Sequence, residues 1–206
     1  MLANAADPTL FADQVIRNNG FLEEVAGGNI NAPSLETDGL DFGVNFQSTI
    51  PNSNIDWGIS AEATHILSYD IVATEGGDVI DGAGNRNRTN IGAATPEWRG
   101  NATFLVSNSF AKASLTGRYI SSFTNDEGAN PGETIDDFFT VDGQVSFNIP
   151  TINLGYKEVA PTITIGATNL FNEEPPFADT LNAFPFATRV HDPRGRVVYV
   201  RTGLSF

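Results

Sequence analysis

Polar and apolar residues alternate with period two in seven stretches of this chain, each long enough to be read as a strand. In residues 38–50, Leu40, Phe42, Val44, Phe46 and Ile50 alternate with Asp41, Gly43, Asn45, Gln47 and Thr49. Residues 55–69 set Ile55, Trp57, Ile59, Ala61, Ala63, Leu67 and Tyr69 against Asp56, Gly58, Ser60, Glu62 and Thr64. In 97–107, Trp98, Ala102, Phe104 and Val106 oppose Arg99, Asn101, Thr103 and Ser107; in 110–120, Ala111, Ala113, Leu115, Gly117 and Tyr119 oppose Lys112, Ser114, Thr116 and Arg118. A fifth stretch sets Phe139, Val141, Val145, Phe147 and Ile149 against Thr140, Asp142, Gln144, Ser146 and Asn148, and a sixth starts at Thr162. The last, 196–206, has Val198, Val200, Thr202, Leu204 and Phe206 on one side and Val197, Tyr199, Arg201, Gly203 and Ser205 on the other. Side chains of a strand point to opposite faces in turn, so these strands have one greasy and one wet face.

The connections alternate in length. Residues 51–54, 108–109 and a turn region at 150–161 are short or moderate, whereas 70–95, 121–137 and 172–195 are long. Residues 1–37 read as a further long extracellular loop, or as part of a preceding segment, with a short helix near Leu10 to Val15. The pattern predicts an all-β fold of antiparallel up-and-down strands. Two-faced strands of about ten residues, with short turns at one end and long loops at the other, suit part of a transmembrane outer-membrane β-barrel. Long loops then lie outside the cell, and the final strand runs inward to a periplasmic carboxy terminus. Trp57 and Tyr69, near opposite ends of one strand, fit the two headgroup interfaces. Closed bacterial barrels have even strand numbers, so seven strands are a portion of one. The alternative is a secreted β-sandwich or adhesin-like binding module, with greasy faces packed sheet on sheet.

Composition changes this picture little. The chain is 40% hydrophobic, which taken alone reads as soluble, but averaging over two faces hides a barrel signal. No run of about eighteen apolar residues occurs, which excludes a transmembrane helix only. The chain has no cysteine, so neither a disulfide framework nor a thiolate metal site is available. Net charge is −14, and the four long stretches hold 18 of the 25 acids and 5 of the 11 bases. Acidic loops on nearly neutral strands argue against nucleic-acid binding, which needs a basic face. The opening Met1-Leu-Ala-Asn-Ala-Ala-Asp-Pro has neither the basic nor the apolar region of a signal peptide, so a piece of a longer polypeptide is expected.

Nothing in the sequence carries an enzyme's signature, and no cofactor is implied. His65 and His191 lack metal-ligand spacing, and no serine sits in a nucleophile elbow. The neighbouring carboxylates Asp136 and Asp137, or Glu173 and Glu174, read as solvated loop charge. Gly76-Gly-Asp-Val-Ile-Asp-Gly-Ala-Gly-Asn85 looks like one turn of a calcium-binding repeat, but such repeats bind between stacked copies, so a flexible external loop is expected. The wet faces carry Arg99, Lys112, Arg118 and Arg201, which are candidates for contact with an anionic substrate or with a plug domain. Pairing with Asp56, Glu62 and Asp142 is the structural alternative.

The order of motifs near the end is more specific. Asn169-Leu-Phe-Asn-Glu-Glu-Pro175-Pro176 is followed by a long loop, then Asp192-Pro193-Arg194-Gly195-Arg196 and an aromatic-ended strand. Together with Asn169, Leu170 and Phe171, these residues resemble the carboxy-terminal signature of TonB-dependent outer-membrane receptors. Gly39-Leu-Asp-Phe-Gly-Val-Asn-Phe46, Pro96-Glu-Trp-Arg-Gly-Asn-Ala102 and Ser114-Leu-Thr-Gly-Arg-Tyr119 are similar to the same family, so the resemblance spans residues 38–206. It implies uptake of a scarce nutrient (metal chelate, vitamin or glycan) across the outer membrane of a Gram-negative bacterium, with outer-membrane lipid around the barrel. It also implies an energy-transducing TonB complex acting through a plug domain, and a barrel assembly machinery that reads Tyr199, Leu204 and Phe206. Plug and energy-coupling TonB box are absent from these residues, and a passive porin is a third possibility.

Overall fold

The computed structural model describes residues 15–18, 21–25, 34–72, 77–86, 94–126, 130–179 and 184–206. Among them are the strands β1 (Val15–Asn18), β2 (Phe21–Val25), β3 (Ser34–Thr49), β4 (Asp56–Val72), β5 (Val79–Asp81), β6 (Asn85–Arg86) and β7 (Trp98–Ser107). They continue with β8 (Ala111–Ile120), β9 (Phe123–Asn125), β10 (Glu133–Ile135), β11 (Phe138–Asn148), β12 (Ile152–Asn153), β13 (Glu158–Thr168) and β14 (Val197–Ser205). The seven long strands β3, β4, β7, β8, β11, β13 and β14 form one sheet in which each pairs antiparallel with the next. The fold is all-β, and its main sheet runs up and down in chain order.

Register turns the period-two sequence pattern into two-sided architecture. Phe46, Ile59, Phe104, Leu115, Gly143, Ala167 and Val198 stand opposite one another in succession across the sheet. The next row holds Gln47, Gly58, Leu105, Ser114, Gln144, Gly166 and Tyr199. Directly opposed residues of an antiparallel pair share a face, so the first row is apolar and the second mostly polar. A slip of one residue in any strand would put its greasy set among the polar ones.

Four expectations need correction. First, β4 carries a bulge at Leu67: Gly39 pairs with Ile66 and Asp38 with Ser68. The extra residue reverses the parity of everything beyond it. Tyr69 and Ile71 therefore stand with Thr37 and Leu35 on the opposite face from Trp57, and Ser68 and Asp70 join Asp38 and Glu36. Second, β1 and β2 pair antiparallel, and β3 starts at Ser34. Val15 is thus a strand residue, while the rest of the helix expected near Leu10 lies outside the described residues.

Third, the turn region 150–161 contains a small hairpin, with β12 paired to the start of β13 and Leu154 donating its N–H to Lys157 O at 2.9 Å. Fourth, the long acidic stretches read as loops hold strands of their own, while Asp136, Asp137, Glu173 and Glu174 stay exposed as expected of solvated loop charge. β5 extends the β4 edge, and β6, β9 and β10 make a three-stranded sheet. Ala94, Phe123, Ile135, Ala178 and Ala187 bury one another, with Val190 against them. This small core gathers residues from three of the long connections into a cap. The calcium-repeat-like segment is part of it: Gly82 donates to Tyr69 O and Ala83 N–H to Asp81 Oδ1.

Candidate functional site

The apolar face has no cover among the described residues. Phe42, Val44 and Phe46 are half exposed, as are Phe104, Leu115 and Phe139, while Val198, Val200 and Leu204 are about two-thirds exposed. Six strand spacings of about 4.8 Å and eight residues of about 3.3 Å make a patch of roughly 29 by 26 Å, about 750 Å². That exceeds the roughly 300–600 Å² of the largest apolar patch on a typical soluble monomer. Its aromatic rings cluster toward both ends of the strands. Toward the long-loop end, Trp98 stacks on His65 at 4.1 Å and lies 6.0 Å from Phe42. Toward the short-turn end, Trp57 lies 5.2 Å from Phe46 and 6.4 Å from Phe104, and Phe110 meets Phe147 edge-on at 6.1 Å. Between them runs a row of smaller side chains: Val44, Ala61, Ala102, Gly117 and Val141.

The band is also staggered against the register. The first outward apolar side chain is Leu40 on β3 and Val198 on β14, yet Val198 stands in the row of Phe46. The band therefore steps along the strands by about one residue per strand. At about 3.3 Å per residue and about 4.8 Å between strands, the strands tilt about 35° from the normal of the band.

The other face is held by polar contacts. Thr64 donates to Asp41 Oδ1 at 2.6 Å, Thr103 and Thr116 share a hydrogen bond of 2.9 Å, and Ser146 and Thr164 one of 2.7 Å. Arg118 forms an ion pair with Asp142, whose Oδ1 also accepts the Asn169 backbone N–H at 2.9 Å. Of the four candidate cations, Arg118 thus takes the structural alternative. Lys112 and Arg201 stand in one row with Ser146 and Thr164 between them, and Arg201 lies over the Tyr199 ring at 5.6 Å. Arg99 lies farther up the same face, near the buried His191. The sheet thus places all four on the polar face without gathering them into one site.

The cap closes over the upper end of this polar face. A cavity of about 360 Å³ separates Arg118, Thr140 and Asp142 on the sheet from Val190, Asp192 and Arg194. His191 is 3% exposed, with its ring 5.2 Å from Phe138 and 5.9 Å from Phe123, and neither ring nitrogen has a hydrogen-bond partner among the described residues. Burial, and secondarily the charge of Arg99, push its pKa down to about 4. His65 stacks on the opposite face, so the two histidines form no pair, and among the described residues no group of three acids or histidines is placed to hold a metal.

The two halves of the terminal motif meet in space. Asn169, at φ 48°, brackets the turn through Nδ2 to Glu173 O and Oδ1 from Glu173 N, both 2.8 Å. Asn172 Oδ1 accepts the Arg196 N–H at 3.0 Å, and Arg196 reaches Leu170 O at 3.4 Å. Gly195, at φ 63°, lies against the Asn172 amide: a side chain there would stand 3.0 Å from Asn172 Oδ1. Arg194 grips Asp192 through Nε and Nη2, which holds the aspartate below the usual carboxylate range. Phe171, Pro175 and Pro193 frame the same base: Phe171 is exposed, and Pro175 and Pro193 line a groove beside Asn172. Pro176 follows directly in the chain. The motif therefore clamps the foot of the 172–195 connection between β13 and β14. Sequence reasoning named these residues without their role; the Asn-rich turn and Asp-Pro-Arg-Gly were its only signal.

At the other end, Tyr199 and Arg201 face the polar side, while Leu204 and Phe206 continue the apolar one, 65% and 82% exposed. No family model, curated protein or solved structure matches this chain.

Proposed function

We propose that this chain forms part of the wall of an outer-membrane β-barrel, as the carboxy-terminal segment of a TonB-dependent receptor that takes up a scarce nutrient. The observation that carries the reading is the segregation of faces across seven strands paired in chain order, interrupted at the Leu67 bulge, with the apolar face bare among the described residues. Lipid supplies the missing cover. From Leu40 to Ile50 the band runs about 33 Å along an extended strand; at a tilt of about 35° that is roughly 27 Å of height, close to the apolar belt of outer-membrane barrels. The same tilt is the one barrel closure requires. Aromatic rings toward both ends of the band fit its two interfaces.

A sandwich would pack its second layer on the apolar face. Here the cap instead sits on the polar side, through His191 and the cavity above Arg118 and Asp142. That side suits a lumen, where a plug domain and a passing ligand meet hydroxyls, amides and the cations Lys112 and Arg201. Among the described residues, β3 and β14 each have one neighbour in the main sheet. An open edge is costly in lipid, so further strands of the barrel pair with both. The final strand offers Tyr199, Leu204 and Phe206 to the assembly machinery, and energy coupling to the TonB complex belongs to the plug.

Expression behind a signal peptide, with whatever sequence precedes the chain at its source, tests the reading. Fractionation with outer membranes, release only by detergent and heat-modifiable mobility are expected. A folded, monodisperse protein in detergent-free buffer would contradict it and favour the sandwich module. Nutrient uptake that stops when inner-membrane energy transduction is removed supports the receptor, whereas uptake that persists supports a passive porin.

A further inference from the structure

The short-turn end of the sheet has one feature that the wall itself does not need. The β12–β13 hairpin projects past Pro150 and Pro161, turning through Gly155 at φ 86° with Asn153 Oδ1 accepting the Gly155 N–H at 2.8 Å. Ile152 pairs with Val159, in the same parity as the outward Ile163 and Ile165, so the hairpin prolongs the apolar face. Ile152 and Leu154 are half exposed, and Tyr156 and Phe206 are each 82% exposed. Among them stands a single cation: the Lys157 ammonium lies 4.0 Å from the centroid of the Phe206 ring and 5.9 Å from that of Tyr156. The lysines and arginines of the seven long strands, Arg99, Lys112, Arg118 and Arg201, point to the polar face.

We propose that this hairpin is an interfacial anchor, in which Lys157 engages the phosphate of an anionic phospholipid while Ile152, Leu154, Tyr156 and Phe206 lie at the level of the upper acyl chains. The proposal rests on the membrane reading above and adds a lipid class and a position to it. A chain of net charge −14 is repelled by an anionic leaflet as a whole, so an exposed ammonium at the edge of its greasy face is the complementary charge at a level where a headgroup would meet it. Aromatic rings flanking the ammonium keep it desolvated on one side and open toward the phosphate on the other. Four apolar side chains around one cation match a single-headgroup contact better than a soluble acidic partner, which would leave them in water.

The test is co-flotation of the chain, together with whatever sequence precedes it at its source, with vesicles of neutral phosphatidylcholine, with and without phosphatidylglycerol, at low and high salt. Lys157→Gln is expected to lower binding to phosphatidylglycerol vesicles about fivefold relative to the parent, the weight of one basic residue at an anionic surface. Binding to neutral vesicles should stay unchanged, and the difference should vanish in high salt. Tyr156→Asn should weaken binding to both vesicles, which separates immersion of the hairpin from simple charge attraction. Equal binding of Lys157→Gln and the parent to phosphatidylglycerol vesicles overturns the anchor and leaves the membrane reading standing. A folded chain that floats with neither vesicle overturns both.

Discussion

Tyr199 lies across Gly166 on the neighbouring strand and donates its hydroxyl to Gln144 Oε1 at 3.0 Å, one strand farther on. A methyl group on Gly166 would stand 2.5 Å from the Tyr199 oxygen and 2.9 Å from the Gln144 Cβ. Three strands are thereby joined through a space that only glycine leaves.

Gly166→Ala should therefore displace the ring and lower stability by about 1–3 kcal/mol. Tyr199→Ala should itself destabilise, but should make Gly166→Ala less costly. Urea midpoints of the two single variants and the double variant in lipid vesicles would show the coupling; additive effects would contradict the contact.

Asp142 serves two partners at once, the Arg118 guanidinium and the Asn169 backbone N–H. Asp142→Ala strands both and should cost about 1–3 kcal/mol. Asp142→Asn keeps an acceptor for Asn169 and should lose less, a ranking that thermal unfolding in detergent resolves.

His191 makes the cap sensitive to acid. Its folded pKa, about 4, lies below the ordinary 6.5, so the closed cap holds the neutral ring and an opened cap takes up the proton. Closure is fully favoured above about 6.5, weakens as pH falls from there, and stops weakening near 4. Nuclear magnetic resonance should find the His191 ring titrating near the lower value, with Phe123 and Phe138 resonances broadening below pH ~6. His191→Phe, which removes the titrating group from between two aromatic rings, should flatten the pH dependence of the cap while leaving the main sheet unchanged.

The two faces should respond oppositely to charge. Ala102, mid-band on the apolar face, and Thr103, next to it on the polar face, differ by one position. In lipid, Ala102→Arg should cost about 2–4 kcal/mol, as charge does at the midplane of a barrel's lipid face, and Thr103→Arg much less. Equal costs, measured by refolding into vesicles, would mean the apolar face is not in lipid.

The seven strands and their two faces were legible because a period of two, once started, survives from Leu40 to Phe206 with few interruptions. Leu67 shows where that reading ends. Leu67 and Tyr69 extend the apolar pattern of Trp57, so nothing local reveals the extra residue; only pairing with Asp38 and Gly39 does. The cap was illegible for a different reason. Phe123, Ile135, Ala178 and Ala187 lie in acidic stretches without strand periodicity, and they meet only because the sheet brings three connections to one end. His191 read as a loop residue, since burial among Phe123 and Phe138 is a tertiary fact. The terminal motif was visible as residue types, but the Asn172 to Arg196 bond that gives it a purpose spans the whole loop.

Trp57 and Trp98 are the chain's only tryptophans. They stand on the apolar face toward its opposite ends, which makes them depth probes. Trp57→Phe and Trp98→Phe leave one reporter each, to be quenched in vesicles by lipids brominated along their acyl chains and, separately, by aqueous iodide. If the apolar face is in lipid, both reporters should be quenched by bromine, more strongly by bromines near the headgroup than near the chain ends, and both should be shielded from iodide. A folded chain in which iodide reaches either tryptophan freely and bromine does not would contradict the account.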